Sequence, residues 1–105
     1  MMSLTIIAKD TKQAEEVAMY LVKEKLVIEA NLIENTNCFR LNKNQEVVKN
    51  STTVLICTTK SLLFNQIDEY LKGAYGKDMP VMYSVPIINM DWEQSKNLIE
   101  GTQKI

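Results

Sequence analysis

Apolar residues along this chain recur with two different periods, and the switches between them outline the fold. Leu4-Thr5-Ile6-Ile7-Ala8 is short, β-branched and nearly continuous in apolar character, as expected of a central strand. Asp10 follows, with Gln13 three residues on, a spacing that caps the start of a helix. Ala14, Val17, Ala18, Leu21 and Val22 then recur at helical intervals and predict one apolar face on a helix running to about Lys25. Lys23 and Lys25 in its last turn suit the helix dipole.

The longest patterned stretch is Leu26 to Thr59. It predicts a strand from about Leu26 to Leu41 and a second from about Gln45 to Thr59, with turn chemistry around Asn42-Lys43-Asn44 between them. An ordinary strand has about 5–6 residues. A pair this long cannot bury all of itself against one small domain, so part of it must project. Asn35 to Asn37 is polar and marks a bend or bulge. The base of the hairpin, around Val54-Leu55-Ile56-Cys57, reads as core, and its polar tip as solvent or partner surface.

A second helix is predicted from about Ser61, with Leu63, Phe64, Ile67, Tyr70 and Leu71 as its stripe and Gly73 as its end. Ala74 to Met79 reads as a loop, and Val81 to Ile88 as a fourth strand. Pro86 cannot donate to a ladder and marks an edge or the end of that strand. Asp91 and Gln94 repeat the cap spacing, and a last helix follows with Trp92, Leu98 and Ile99 as its buried side and Gly101 at its end. The order βαββαβ plus a terminal helix predicts an α+β, ferredoxin-like sandwich in a single domain over residues 1–105. Its two main helices cover one sheet face. Strand residues on both faces are apolar, Val54 and Ile56 on one side and Leu55 and Cys57 on the other, so burying the face without helices calls for another copy of the chain.

Composition narrows the function classes. Twelve basic residues against thirteen acidic give a net charge of −1, with no basic patch for nucleic acid or an anionic membrane. The apolar runs are too short to span a bilayer, and the start lacks the pattern of a signal peptide, so a cytoplasmic protein is expected. Cys38 and Cys57 are too few for a disulfide framework. The chain has no histidine, which removes the commonest general base and metal ligand. No complete catalytic constellation is found, and a non-enzymatic role follows.

Several short motifs resemble the CutA-type divalent-cation-tolerance proteins. Leu21-Val22-Lys23-Glu24-Lys25-Leu26 is similar to the family's helix end and strand start, Asn31 to the asparagine closing its second-strand motif, and Phe39-Arg40 to an aromatic–arginine step in its hairpin. Val54 to Thr59, Pro80 and Val85-Pro86-Ile87 resemble its later strands. The resemblance implies a ferredoxin-like homotrimer held through the sheet face and the long hairpin, related in architecture to PII-type signalling proteins and linked to copper tolerance. The family's cysteine falls at Glu29, its hairpin serine and tryptophan at Asn37 and Leu41, its lysine at Cys57 and its histidine–proline–tyrosine loop at Tyr75-Gly76-Lys77. Its glutamate falls at Val81. The scaffold therefore carries over, while binding of copper or another divalent cation is weakened or lost, and no metal ligand is assigned.

Three residues stand out as candidate ligand-binding groups in an inter-subunit cleft: Glu29, Arg40 and Lys77. Glu29 is a carboxylate in an otherwise apolar strand, costly to bury unless paired; it either serves a cleft or forms a salt bridge with Lys77, Lys60 or Arg40. Arg40, the single arginine, can clamp an anion or meet a neighbour's carboxylate. Lys77 lies in the Tyr75-Gly76-Lys77-Asp78 loop, and Thr58 to Ser61 offers donors at a helix start. Cys38, Cys57, Met79, Met82 and Met90 make a soft Cu(I) set or ordinary core filling. The alternative to a CutA-like trimer is a PII-like regulatory trimer binding an anionic small molecule in that cleft. A small ferredoxin-like phosphatase ranks last, since Ala8-Lys9-Asp10-Thr11 offers no anion loop.

Overall fold

A computed structural model describes residues 1–105. The elements are β1 (Met2–Ala8), α1 (Thr11–Lys23), β2 (Glu29–Leu41), β3 (Val47–Thr59), α2 (Phe64–Tyr75), β4 (Val81–Pro86) and α3 (Trp92–Gly101). The four strands form one antiparallel sheet in the order β2-β3-β1-β4, the arrangement of a ferredoxin-like sandwich. Leu4, Ile6, Leu55 and Cys57 point from the central strands into the core, where Val17 and Leu21 of α1 and Ile67 and Leu71 of α2 meet them. All eight side chains are fully buried. Tyr20 and Tyr70 stack between the helices with ring centroids 3.7 Å apart.

The ends of the elements differ from the sequence expectation in instructive ways. Helix α1 stops at Lys23, and Lys25 takes a positive φ of 56° as the chain turns back. Leu26 and Val27 are buried in that turn, so β2 begins only at Glu29. The second helix starts with a 3-10 turn over Ser61–Leu63 and runs past Gly73 to Tyr75. Gly76, with φ of 54°, is the residue that ends it. Strand β4 stops at Pro86 rather than Ile88 and lies at the sheet edge, where a missing N–H is tolerated.

Two expectations about the last helix fail. Trp92 is 80% exposed and Ile99 is also exposed, leaving Leu98 as the buried residue of α3. Helix α3 is tied down instead by polar contacts after its end. The Gln103 N–H donates to the Lys25 carbonyl at 2.8 Å, and Lys60 Nζ donates to the Gln103 carbonyl at 2.7 Å.

The hairpin is the dominant shape. Strands β2 and β3 pair from Glu29↔Thr58 to Leu41↔Val47, with a register shift between Ile33 and Thr36. Asn35 sits in that bulge with φ of 55°, a conformation asparagine tolerates well. At the tip, Asn42 Oδ1 accepts from the N–H groups of Asn44 and Glu46, which sets the turn. Strand β1 stops pairing with β3 at Ala8↔Thr53. From there outward the hairpin is a two-stranded arm, and the protomer is 49 Å long but only 19 Å thick.

Candidate functional site

Two surfaces stand out: the open face of the sheet and the groove where the arm leaves the body. Strand pairing lines up the open face in rungs. Ile33, Val54, Ile7 and Val81 form one rung; Asn31, Ile56, Thr5 and Tyr83 form the next. Both rungs point away from the helices, since side chains alternate along each strand and Leu55, Leu4 and Ile6 face the core. Ile56 is 38% exposed and Tyr83 50%. On the arm, beyond the register shift, Phe39, Leu41 and Val47 project from the opposite side of the hairpin, each more than 60% exposed.

The groove has a volume of about 430 Å³. Its polar wall is Cys38 and Arg40 of β2 with Asn50, Ser51 and Thr52 of β3. Ile7, Pro80 and Val81 supply an apolar wall, and Lys9 and Asp78 stand at its rim. Arg40 Nε donates to Cys38 Sγ at 3.2 Å, because residues two apart on a strand share a face. This thiol contact raises the pKa of Arg40. Lys9 Nζ and Asp78 Oδ2 form a long, exposed ion pair at 3.8 Å.

Gln13 builds the groove's floor, a role sequence patterning did not reveal. The expected cap is present, with the Gln13 N–H donating to Asp10 Oδ1 at 2.8 Å. The Gln13 side chain is itself buried. Its Oε1 accepts from the Lys9 N–H at 3.0 Å, and its Nε2 donates to the Asp78 carbonyl at 2.8 Å. It thereby fastens the loop before β4 to the start of α1.

The three candidate ligand residues lie apart within one protomer. Glu29 opens β2 at the sheet's far end, eleven residues or roughly 35 Å of strand from Arg40. It is exposed rather than buried, and its Oε1 accepts from Thr58 Oγ1 at 2.8 Å. It forms no salt bridge with Lys77, Lys60 or Arg40; the chain's ion pairs are Lys9–Asp78 and Lys72–Asp68. Lys77 is exposed in a 3-10 turn over Gly76–Asp78 and does not line the groove. The Thr58 to Ser61 segment is committed to structure: Thr59 Oγ1 donates to the Leu26 carbonyl at 2.6 Å, and Lys60 holds the tail after α3.

The soft-metal set is divided. Cys57 is buried in the core, and burial first, then the charge of Glu29, pushes its thiol up to about 12. That keeps it a neutral thiol and a poor ligand. Cys38 and Met79 share the groove, but Cys38 has cationic Arg40 against its sulfur. No three His, Cys, Asp or Glu side chains gather in a metal-holding group.

Comparison with known proteins accounts for the fold. Among curated proteins none matches significantly. Among solved structures, CutA1 from Pyrococcus horikoshii is 25% identical, covers 99% of this chain and 100% of its own, and superposes with a TM-score of 0.88. The divalent cation tolerance protein of Thermus thermophilus (23% identity; 98% and 100% covered; TM-score 0.86) and CutA1 from Oryza sativa (17%; 99% and 94%; 0.89) share the fold. The family model for the CutA1 divalent ion tolerance protein matches residues 2–96. With that match over nearly its whole length, the chain belongs to the CutA1 divalent ion tolerance family.

Proposed function

We propose that this chain works as a non-enzymatic homotrimer, joined through the open sheet face and the hairpin arm, in the tolerance of divalent cations. The observation that carries the reading is the arm. Beyond Ala8↔Thr53 it has no third strand, and an isolated two-stranded hairpin is marginal in water. Phe39, Leu41 and Val47 stand exposed on it, and the rungs around Ile56 and Tyr83 are open on the body. Neighbouring copies laid against these surfaces bury both. The number three comes from the family resemblance.

A metal role in this chain does not run through a tight site. The family name speaks of divalent ions, yet the cysteines are separated and the side chains that gather do not include a ligand triad. We place the protein in the cytoplasm, a reading supported by its two free thiols. Native mass spectrometry tests the assembly, with a three-chain species expected and a single chain contradicting it. Calorimetric titration with Cu(II) tests the metal reading: weak, non-stoichiometric heats are expected, and a tight site of one ion per chain would refute it.

A further inference from the structure

We infer that Tyr20 and Tyr70 form a modification site, where a one-electron oxidant joins the two rings into dityrosine and so staples α1 to α2. The observation that carries this is the stack. The ring centroids lie 3.7 Å apart at an interplanar angle of 6°. Aromatic pairs ordinarily sit offset or edge to face, with centroids about 4.5–7 Å apart. Here two helices separated by the whole hairpin hold the rings face to face, with their carbons at van der Waals contact. Tyr20 is 37% exposed and Tyr70 half-buried, so a small oxidant reaches the pair while the body keeps it in place. Neither the open sheet face nor the arm includes these rings, which lie on the helix layer that covers the opposite side of the sheet.

The chemistry balances within the pair. Each phenol gives one electron to the oxidant and one proton to water, leaving two phenoxyl radicals. A carbon–carbon bond forms between the ring carbons next to the two hydroxyls. The hydrogen on each of those carbons then moves to its oxygen and restores both phenols. Hydrogen peroxide acting through a peroxidase is a suitable oxidant, taking up two electrons and two protons to give two waters. The first radical formed has its partner ring already in contact, which favours this link over one between chains. Tyr75 is the nearby competitor, and it approaches Tyr70 through its hydroxyl.

Trypsin separates the four tyrosines of the chain, with Tyr20 in Gln13–Lys23 and Tyr70 in Ser61–Lys72. The full-length protein is treated with a haem peroxidase and limiting hydrogen peroxide, and its digest is read by mass spectrometry. A link between those two peptides, with two hydrogens lost, is expected, together with dityrosine fluorescence in a single chain on a denaturing gel. In concentrated urea, where the stack is lost, the yield should fall about tenfold or more. Tyr20→Phe, which keeps the ring, should abolish the link, and Tyr83→Phe should not. The linked chain should also unfold at a higher urea concentration, since the bond joins residues 50 apart in sequence and restricts the unfolded chain. The inference is overturned if no such link forms in the folded protein, or if the links found join Tyr75, Tyr83 or separate chains instead. It is also overturned if Tyr20→Phe or urea leaves the yield unchanged.

Discussion

Ala8 faces Thr53 in the last rung that β1 contributes to β3, and beyond that rung β3 has only β2 for a neighbour. The chain therefore changes from a packed four-stranded sheet into a bare hairpin within one residue. Amide exchange should report this boundary. In the assembled protein, the paired amides from Thr36 to Leu41 and Val47 to Thr52 should be protected almost as well as Leu55. In any variant held as a single chain they should exchange orders of magnitude faster while Leu55 stays protected. Equal protection in both states would mean that the arm is stable alone.

Ile56 sits at the middle of the open face, paired with Thr5 and Asn31 on either side. Ile56→Lys places a charge where a neighbouring copy would have to cover it, and burying an unpaired charge is costly. Light scattering should show this variant as a single chain. Met19→Lys, on the exposed outer side of α1, should keep the mass of the parent protein. Loss of assembly in both variants, or in neither, would count against the sheet face as the contact.

Gln13 bridges the Lys9 N–H and the Asp78 carbonyl from a buried position. Gln13→Leu keeps the volume but leaves both backbone groups without their partner, at a cost of about 1–3 kcal/mol for each group that water cannot reach. Glu15→Ala, exposed on the same helix, should change stability by about 0.5 kcal/mol or less. Urea unfolding at one fixed protein concentration compares the two variants.

Cys57 titrates at about 12 in the folded chain against an ordinary value of 9.0, chiefly because it is buried. A thiol whose folded pKa is raised is held protonated by the fold. Its contribution to stability is complete below pH 9 and is lost as pH rises toward about 12, because the unfolded chain then binds fewer protons than the folded one. Tyr70, raised from 10.0 to about 12 by burial first, acts in the same direction at the upper end of that window. Urea midpoints should fall steadily above pH 9. Cys57→Val should flatten the first part of the fall. In the native protein a thiol reagent should modify half-buried Cys38 and spare Cys57.

Much of this fold is legible in the residues. The period of Leu4 to Ala8, the capping pair at Asp10 and Gln13, and the polar break at Asn35 each specify local geometry that the structure adopts. Trp92 shows where such inference stops. Its size argues for burial, but α3 is anchored through Leu98 and the contacts of Gln103, which leaves Trp92 outside. Leu26 and Val27 are apolar like strand residues, yet they fill the turn after α1. The groove is less legible still. Arg40 is conspicuous as the single arginine, but its wall is assembled from four separated segments. The Gln13 bond that holds one of them spans 65 residues of sequence. Glu29, Arg40 and Lys77 attract notice by residue type, while their placement depends on strand length and on a 3-10 turn that local patterns do not fix.

If other copies of the chain complete the protomer, its mass in solution must show it, and sedimentation equilibrium at micromolar concentration reads that mass without a shape assumption. A single species at three times the chain mass of 12.0 kDa is the predicted result. A species at 12.0 kDa that does not change with concentration would contradict it, and would leave the long arm and the open sheet face without the role assigned to them.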